Sequence, residues 1–322
     1  MTTGKMHKLL PRPFLKWAGG KTKLLTKLRA RIPSSWDPSR DHYHEPFLGA
    51  GALYFSLLPT HSHLSDANAD LVTAWQAVRD DVDGVVAELV RWRDAYVKDP
   101  ETTYYVVRLL SPEKLGPSER AARLIVLNKA CFNGLYRVNK KGIFNVPWGK
   151  NPKAGILDEV NLRNCARALS QGEGEIECRD FGKSGAVKKR ESVKAGALVY
   201  FDPPYSPVSK TSYFTSFTAD KFGQAEQERL VEVAAKIAER GAHVIVSQSA
   251  DEALITLYRE KGFTCDFVSA PRGINSVGTG RGMVGEYIIH NCSAASVREE
   301  EERPVEATSV EVEDAGSSTD PG

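Results

Sequence analysis

Short apolar runs that alternate with stretches of helical periodicity are the feature of this chain that most constrains its fold. The predicted strands are residues 42–47, 61–66, 197–201, 243–247 and 263–269, and the predicted helices are 52–58, 68–79, 224–239 and 251–261. Strands that alternate with helices favour an α/β fold, with a mostly parallel sheet covered on both faces. Ligands bind such sheets beyond the carboxyl ends of the strands, so we expect the functional residues in the loops there.

A central region interrupts this alternation. Helical periodicity dominates from residue 81 to 159, over 85–97 and 120–131, and is followed by a stretch rich in Gly, Asn and Pro. We interpret 81–159 as an insertion that divides the α/β domain into residues 11–80 and 160–292.

The end of the chain differs in charge from the rest. Residues 293–322 carry a net charge of −7, whereas the remaining body carries +9. With almost no large apolar residue, this acidic tail is predicted to be disordered. A basic body suits a polyanionic partner.

Composition excludes several classes of protein. The chain has no run of 18 apolar residues and its start lacks a signal-peptide pattern, so we expect a cytoplasmic protein that does not bind membranes. Its five cysteines are widely spaced and never form C-x-x-C. The sequence therefore predicts neither a disulfide framework nor a zinc site, and we expect no metal.

Two glycines follow the first predicted strand in the stretch HEPFLGAGALYF. Gly49 and Gly51 would let a ligand approach the backbone, and Asp66, at the end of the next strand, is placed to hold ribose hydroxyls. Tyr54 occupies the position of the third glycine in the dinucleotide-binding pattern. The stretch alone thus fits a nucleoside-type ligand or an ordinary strand-turn-helix.

A second glycine pair lies near the start of the chain, in WAGGKT. The stretch ends like a phosphate-binding loop, but the earlier glycine of that pattern would fall at Leu15, so ATP binding is not expected. Trp17 and Lys21 instead suit a backbone-lined pocket with a stacking ring and a cation.

The stretch from residue 120 to 153 contains eight basic residues and no acid. Four aromatic residues are interleaved with them, at Phe132, Tyr136, Phe144 and Trp148. Basic side chains neutralise phosphates and rings stack on or wedge between bases, so the pattern favours nucleic-acid binding. The alternative is a solvated basic face whose aromatic residues belong to the core.

The run VYFDPPY, residues 199–205, is a strand that ends on a carboxylate and two prolines. Because Pro203 and Pro204 have no N–H, the loop after Asp202 presents mainly acceptors. Such a loop complements an exocyclic –NH2 group and can aim its lone pair at an electrophile. Tyr205 would stack on the heterocycle. The alternative is an ordinary turn that ends a strand.

With these motifs in their order, the chain resembles the Dam-like DNA adenine-N6 methyltransferases of the D12 class. FLKWAGGK, EPFLGAGA, LSDAN and DPPY carry the resemblance, which spans roughly residues 13–291. It implies a Rossmann-like methyltransferase sheet with helices on both faces, plus an inserted, mainly helical target-recognition domain with a β-hairpin. It also implies S-adenosylmethionine as methyl donor, and cofactor contacts from Trp17, Lys21, Glu45, Gly49, Gly51, Asp66, Asp180, Phe181 and Asp202.

The resemblance assigns the catalytic and DNA-binding roles as well. Asp202 and the carbonyl of Pro203 would hold N6 of a flipped adenine, with Pro204 in the same loop and Tyr205 stacked on the base. The residues expected to bind DNA are Lys16, Phe132, Asn133, Leu135, Arg137, Lys140 and Lys141. Arg137 would read a guanine, and the expected site is GATC or contains GAT.

The resemblance therefore predicts a monomeric, site-specific enzyme acting on double-stranded DNA, and it allows a cognate restriction endonuclease as a partner. Transfer to cytosine N4 or another exocyclic amine stays an alternative, because related loops serve those acceptors. A DNA-binding protein that kept only the fold is the other alternative.

Overall fold

A seven-stranded sheet forms the centre of the computed structural model, which describes residues 10–139, 141–182, 193–205, 222–271 and 283–292. The strands are β1 His42–Glu45, β2 His61–Asp66, β3 Glu173–Cys178, β4 Leu198–Phe201, β5 His243–Ser249, β6 Thr264–Pro271 and β7 Met283–His290. Their order in the sheet is β3-β2-β1-β4-β5-β7-β6, and β7 runs antiparallel to both of its neighbours. The predicted Rossmann-like methyltransferase sheet is confirmed.

The middle strand β4 shows why the sheet needs cover on both faces. All four of its residues are buried, and the run LVYF has no polar alternation, which is typical of a parallel strand between two layers of helices. Leu198 and Tyr200 belong to one hydrophobic cluster, whereas Val199 and Phe201 belong to a second one that includes residues of α8 and α9. β4 thus joins the two halves of the core.

The described residues contain nine α-helices. They are α1 Leu25–Arg29, α2 Ala52–Leu57, α3 Ala69–Asp80, α4 Val82–Lys98, α5 Pro100–Leu109, α6 Pro117–Ala130, α7 Glu159–Gln171, α8 Gln224–Ala238 and α9 Glu252–Glu260. Asn68, Asp81, Asp99, Asp158 and Asp251 cap α3, α4, α5, α7 and α9 through their side chains. None of these helices is long and apolar enough to cross a bilayer.

The region from 81 to 159 is mainly helical, as predicted. Its helices α4 and α6 pack against each other and α6 packs against α3, and residues of all three belong to the hydrophobic cluster that contains Tyr43 of β1. Beyond α6, Val138 and Phe144 form an antiparallel bridge, and the N–H of Asn139 donates to the carbonyl of Ile143 at 2.9 Å. A target-recognition domain at these residues stays a prediction, and the predicted tail, 293–322, lies outside the described residues.

Candidate functional site

Three acidic residues meet at the carboxyl edge of the sheet. Glu45 ends β1, Asp66 ends β2, and Asp202 follows β4 directly. β1 lies between β2 and β4 in parallel register, with neighbouring strands about 4.8 Å apart. The topology therefore brings three predicted site residues to one place.

Glu45 is the most buried of these acids, with 2% of its surface exposed. Tyr43 donates its hydroxyl hydrogen to Oε2 of Glu45 at 2.7 Å. Burial raises the pKa of Glu45 to about 8, and the nearby charges of Asp202 and Asp66 act in the same direction. A cation placed beside Glu45 would favour the ionised form.

Asp66 is held by backbone donors. The N–H of Gly49 donates to Oδ2 at 3.1 Å and the N–H of Asn68 donates to Oδ1 at 2.9 Å. Burial nevertheless raises its pKa to about 6, against the effect of these hydrogen bonds. The carboxylate is thus fixed in position beside the glycine turn.

The glycine turn is shaped by two tryptophans. Gly51 has φ of +63°, and a Cβ there would lie 2.4 Å from the ring of Trp75. Trp75 also donates its indole N–H to the carbonyl of Gly49 at 3.1 Å. A Cβ on Gly49, where φ is +47°, would lie 3.1 Å from Trp17. Packing therefore requires these glycines, in addition to any ligand.

Lys21 joins the first motif to the last. Its Nζ lies 2.7 Å from Oδ1 of Asp202, donates to the carbonyl of Gly19 at 2.7 Å, and lies 4.7 Å from the ring centroid of Tyr205. Only 6% of the Lys21 side chain is exposed. Burial raises the pKa of Asp202, the Lys21 charge lowers it, and Glu286 raises it further; the net direction is upward.

The Pro-Pro loop is supported by residues that the sequence analysis missed. Gln227 of α8 donates to the carbonyl of Pro204 at 2.9 Å, and Gln248 of β5 donates to the side-chain oxygen of Gln227 at 2.9 Å. Tyr205 donates its hydroxyl hydrogen to Glu286 of β7 at 2.9 Å. A glutamine in the apolar run HVIVSQS was the available signal, since a buried amide needs partners.

The predicted adenine-binding segment follows β3. The N–H of Arg179 donates to the carbonyl of Asp66 at 2.9 Å, which brings the segment to the same edge. Asp180 makes a two-pronged ion pair with Arg229, at 2.9 and 2.7 Å. Phe181 is buried, with its ring centroid 5.2 Å from that of Phe47.

Residues predicted to bind DNA lie close to the first motif. The side chain of Asn128 accepts from the backbone N–H of Lys16 at 2.7 Å and donates to the carbonyl of Gly134 at 3.1 Å. The ring centroids of Trp17 and Tyr136 are 5.4 Å apart. Lys16 and the stretch that begins at Phe132 are therefore neighbours, although 116 residues separate them in the chain.

The aromatic residues of the basic stretch have different environments. Tyr136 and Phe144 are buried in the core, as the alternative interpretation of the basic stretch expected for its aromatic residues. Trp148 is half-buried and donates its indole N–H to the Tyr96 hydroxyl at 2.9 Å. Phe132 remains, with 44% of its surface exposed.

The other predicted DNA contacts surround Phe132. Asn133 has φ of +54° and Leu135 is half-buried. Arg137 donates from Nε to the Asn145 side chain at 2.7 Å, while Lys141 is exposed. Lys140 lies outside the described residues.

Comparison with known proteins identifies the family. The family model described as "D12 class N6 adenine-specific DNA methyltransferase" matches residues 17–267. The chain is 40% identical over 284 residues to the Type II methyltransferase M.MjaIII of Methanocaldococcus jannaschii, covering 84% of this chain and 95% of that protein.

Two further relatives cover similar shares. The Type II methyltransferase M1.LlaDCHI of Lactococcus lactis is 34% identical over 88% of this chain and 97% of its own length. A DNA adenine methylase of Escherichia coli is 32% identical over 86% of this chain and 94% of its own length. With its sheet order and its clustered motifs, the chain belongs to the D12 class of N6 adenine-specific DNA methyltransferases.

Proposed function

We propose that this enzyme methylates N6 of an adenine flipped out of double-stranded DNA, within GATC or a site containing GAT. The observation that carries the proposal is the position of Asp202, at the end of β4 with two prolines behind it and Lys21 at 2.7 Å. A carboxylate fixed in this way can accept a hydrogen bond from the N–H group of an exocyclic amine without moving.

The carboxyl edge of the sheet fits the donor that the family implies, S-adenosylmethionine. When bound, this donor supplies a methyl group on a cationic sulfonium. Glu45, Asp66 and Asp202 offer negative charge for its cationic groups, and a Cβ on Gly49 would fill space beside Trp17. Asp66 would accept from ribose hydroxyls, while Lys21, Gly51, Asp180 and Phe181 would complete the pocket.

Asp202 would act on the amine in two ways. Its carboxylate and the Pro203 carbonyl would accept hydrogen bonds from the two N–H groups of N6, so that the nitrogen lone pair points at the methyl group. Burial raises the pKa of Asp202, which makes it a better acceptor for the proton that N6 loses. Tyr205, fixed by Glu286, would stack on the base.

Recognition would fall to the surface next to Trp17. Phe132 and Asn133 are both exposed in the turn after α6, and we propose that their side chains enter the duplex. Lys16 and Arg137 would read guanines, with Leu135 beside them, and Lys140 and Lys141 would neutralise phosphates.

The relatives also suggest a biological setting. Two of them carry the name Type II methyltransferase, which supports a role in restriction-modification with a cognate endonuclease that acts on the same site. We propose that the enzyme itself works as a monomer, because Glu45, Asp66, Lys21 and Asp202 of a single chain suffice to form the proposed donor pocket.

Product analysis combined with sequencing tests this function. The purified protein is incubated with labelled S-adenosylmethionine and unmethylated DNA, and modified bases are located by single-molecule sequencing. We expect N6-methyladenine at one short motif that contains GAT. N4-methylcytosine, methylation without a motif, or no DNA product would contradict the proposal.

Substitution of Asp202 tests the catalytic role. Asp202→Asn keeps an oxygen near Lys21 but removes the charge, and we expect the turnover rate to fall at least about 100-fold. Asp83→Asn, at an exposed acid paired with Arg163, is the control and should retain full activity. Circular dichroism checks that both variants fold, and a fully active Asp202→Asn variant would refute the role.

A further inference from the structure

Four of the seven histidines in this chain stand together on two neighbouring strands. His42 and His44 lie on β1, and His61 and His63 lie on β2. The parallel register pairs His42 with His61 and His44 with His63. Side chains two residues apart point to the same face of a strand, so all four imidazoles project from one face of the sheet.

Three of these rings are close enough to share one ion. His44 and His63 stack with ring centroids 4.6 Å apart and planes 11° apart, and His42 lies 5.6 Å from His63. One ring nitrogen from each of the three lies within 4.8 Å of the others. Tetrahedral nitrogens bound at about 2.1 Å are about 3.4 Å apart, so an ion would draw the nitrogens together by about 1 Å. The rings would also turn out of their stacked arrangement, because the lone pair of each imidazole lies in its ring plane.

The histidine cluster is separate from the proposed catalytic site. Glu45 follows His44 directly and therefore points to the opposite face, on the side of Tyr43. Along β1, His42 lies three residues before Glu45, which corresponds to about 10 Å. The cluster thus lies on the opposite face of the sheet from Glu45, although His44 is its immediate neighbour along β1.

Neighbouring charges orient two of the rings. Oε2 of Glu175 lies 3.4 Å from Nδ1 of His63, which leaves Nε2 as the nitrogen that can face the cluster. A carboxylate on the second nitrogen is the usual support of a metal-binding histidine. The Nζ of Lys194 lies 3.1 Å from Nε2 of His42, and its positive charge opposes the binding of a cation there. Lys194 is exposed, so its side chain can turn away.

His44 is the least accessible member, with 4% of its surface exposed. A neutral imidazole keeps the lone pair that a metal requires. Imidazoles favour Zn²⁺, Ni²⁺ and Cu²⁺ over Mg²⁺ or Ca²⁺.

We propose that His42, His44 and His63 bind one divalent transition-metal ion of the Zn²⁺ class, which clamps β1 to β2. Three protein ligands leave the remaining coordination position to solvent. The sequence analysis expected no metal because it considered only cysteine spacing, whereas these ligands come together through strand register. The site goes beyond the methyltransferase activity and does not depend on it.

Metal titration of the full chain tests this site. The protein is prepared without a histidine tag, treated with EDTA and dialysed, then titrated with ZnCl₂ by calorimetry and with CoCl₂ by visible absorption. We expect one ion per chain, Co²⁺ bands typical of nitrogen ligands in four or five coordination, and a higher unfolding temperature with Zn²⁺. Absence of stoichiometric binding would overturn the proposal.

Matched variants separate the cluster from general surface binding. His63 is half-exposed, so the His63→Gln variant should fold. We expect it to bind Zn²⁺ at least about tenfold more weakly than the wild type. His243→Gln, on β5, removes a histidine outside the cluster and should bind as the wild type does. Equal binding by His63→Gln and the wild type would refute the assignment.

Lys194 supplies a test with the opposite sign. Lys194→Met removes a positive charge beside His42, so we expect Zn²⁺ to bind about tenfold more tightly. Methyl transfer to DNA, measured with and without Zn²⁺, should stay within about twofold because the cluster lies on the face of the sheet opposite Glu45. Unchanged or weaker Zn²⁺ binding in Lys194→Met would contradict the cluster geometry.

Discussion

Gln227 is expected to hold the catalytic loop in place, and its replacement by methionine should slow methyl transfer. The backbone N–H of Ser249 determines which side-chain atoms of Gln248 and Gln227 donate and which accept hydrogen bonds. The N–H of Ser249 can only donate, so it fixes the oxygen of Gln248 toward itself and turns the Gln248 amide N–H toward Gln227. Gln227 must then present its own N–H to the Pro204 carbonyl.

The magnitude follows from the groups left without a partner. Both glutamines are at least 98% buried. Gln227→Met leaves the Pro204 carbonyl and the Gln248 amide unpaired, and each buried group of this kind costs about 1–3 kcal/mol. We therefore expect a loss of roughly 2–6 kcal/mol in the free energy of unfolding. A shift of about 1 Å in the loop would lower the turnover rate about 100-fold.

The assay compares single-turnover methyl transfer with thermal unfolding. Gln224→Met is the matched control, because Gln224 lies one turn earlier on α8 and is exposed. Gln248→Met breaks the hydrogen bonds of Gln248 with Gln227 and Ser249 but leaves the bond from Gln227 to Pro204, and it should give an intermediate rate. If Gln227→Met unfolds at a lower temperature yet transfers methyl groups as fast as Gln224→Met, the bond is structural only and the reasoning fails.

Three further predictions concern other groups of the site. Glu45→Gln should be more stable than the wild type at pH 8 by roughly 2–4 kcal/mol, because a folded-state pKa of about 8 means that wild-type stability falls as pH rises above 4.5. The variant should also bind S-adenosylmethionine more weakly. Urea unfolding at pH 5 and 8 checks the first expectation, and titration with the donor checks the second. Gly51→Ala should lower the free energy of unfolding in urea by roughly 3 kcal/mol, from backbone strain plus contact with Trp75. In the control Gly142→Ala, φ is +73° and the space is open, so the loss should be about 1 kcal/mol. Equal losses in the two variants would exclude the contact with Trp75. Lys141→Ala should reduce the slope of log affinity for DNA against log salt by about 1, and an unchanged slope would remove Lys141 from the phosphate contacts.

Local patterns were enough to predict most of the sheet. The run LVYF and the capped helix α9 carry their signals within a few residues, and the strand predicted at 197–201 is confirmed as β4, Leu198–Phe201. The antiparallel strand β7 was missed because its place between β5 and β6 depends on pairing across the sheet. The motifs EPFLGAGA, LSDAN and DPPY lie at strand ends, where local patterns can predict them, whereas FLKWAGGK lies before the first helix and follows no described strand.

Side-chain environments required the fold. Tyr136 and Phe144 lie among basic residues in the chain, yet both point into the core, because a bridge between Val138 and Phe144 folds this stretch back on itself. The histidine cluster depends on register in the same way. A spacing rule along one strand could not show that His63 would lie beside His44.

Asn128 has a consequence for how the two ligands of this enzyme influence each other. Its side chain makes hydrogen bonds to the backbone of two segments. One bond is to Lys16, next to the proposed donor pocket, and the other is to Gly134, in the turn proposed to enter DNA. A movement of one segment therefore displaces the other. We therefore expect occupancy of the proposed donor pocket and affinity for DNA to be thermodynamically coupled. Such coupling is reciprocal: whatever the donor does to DNA affinity, DNA does to donor affinity by the same factor.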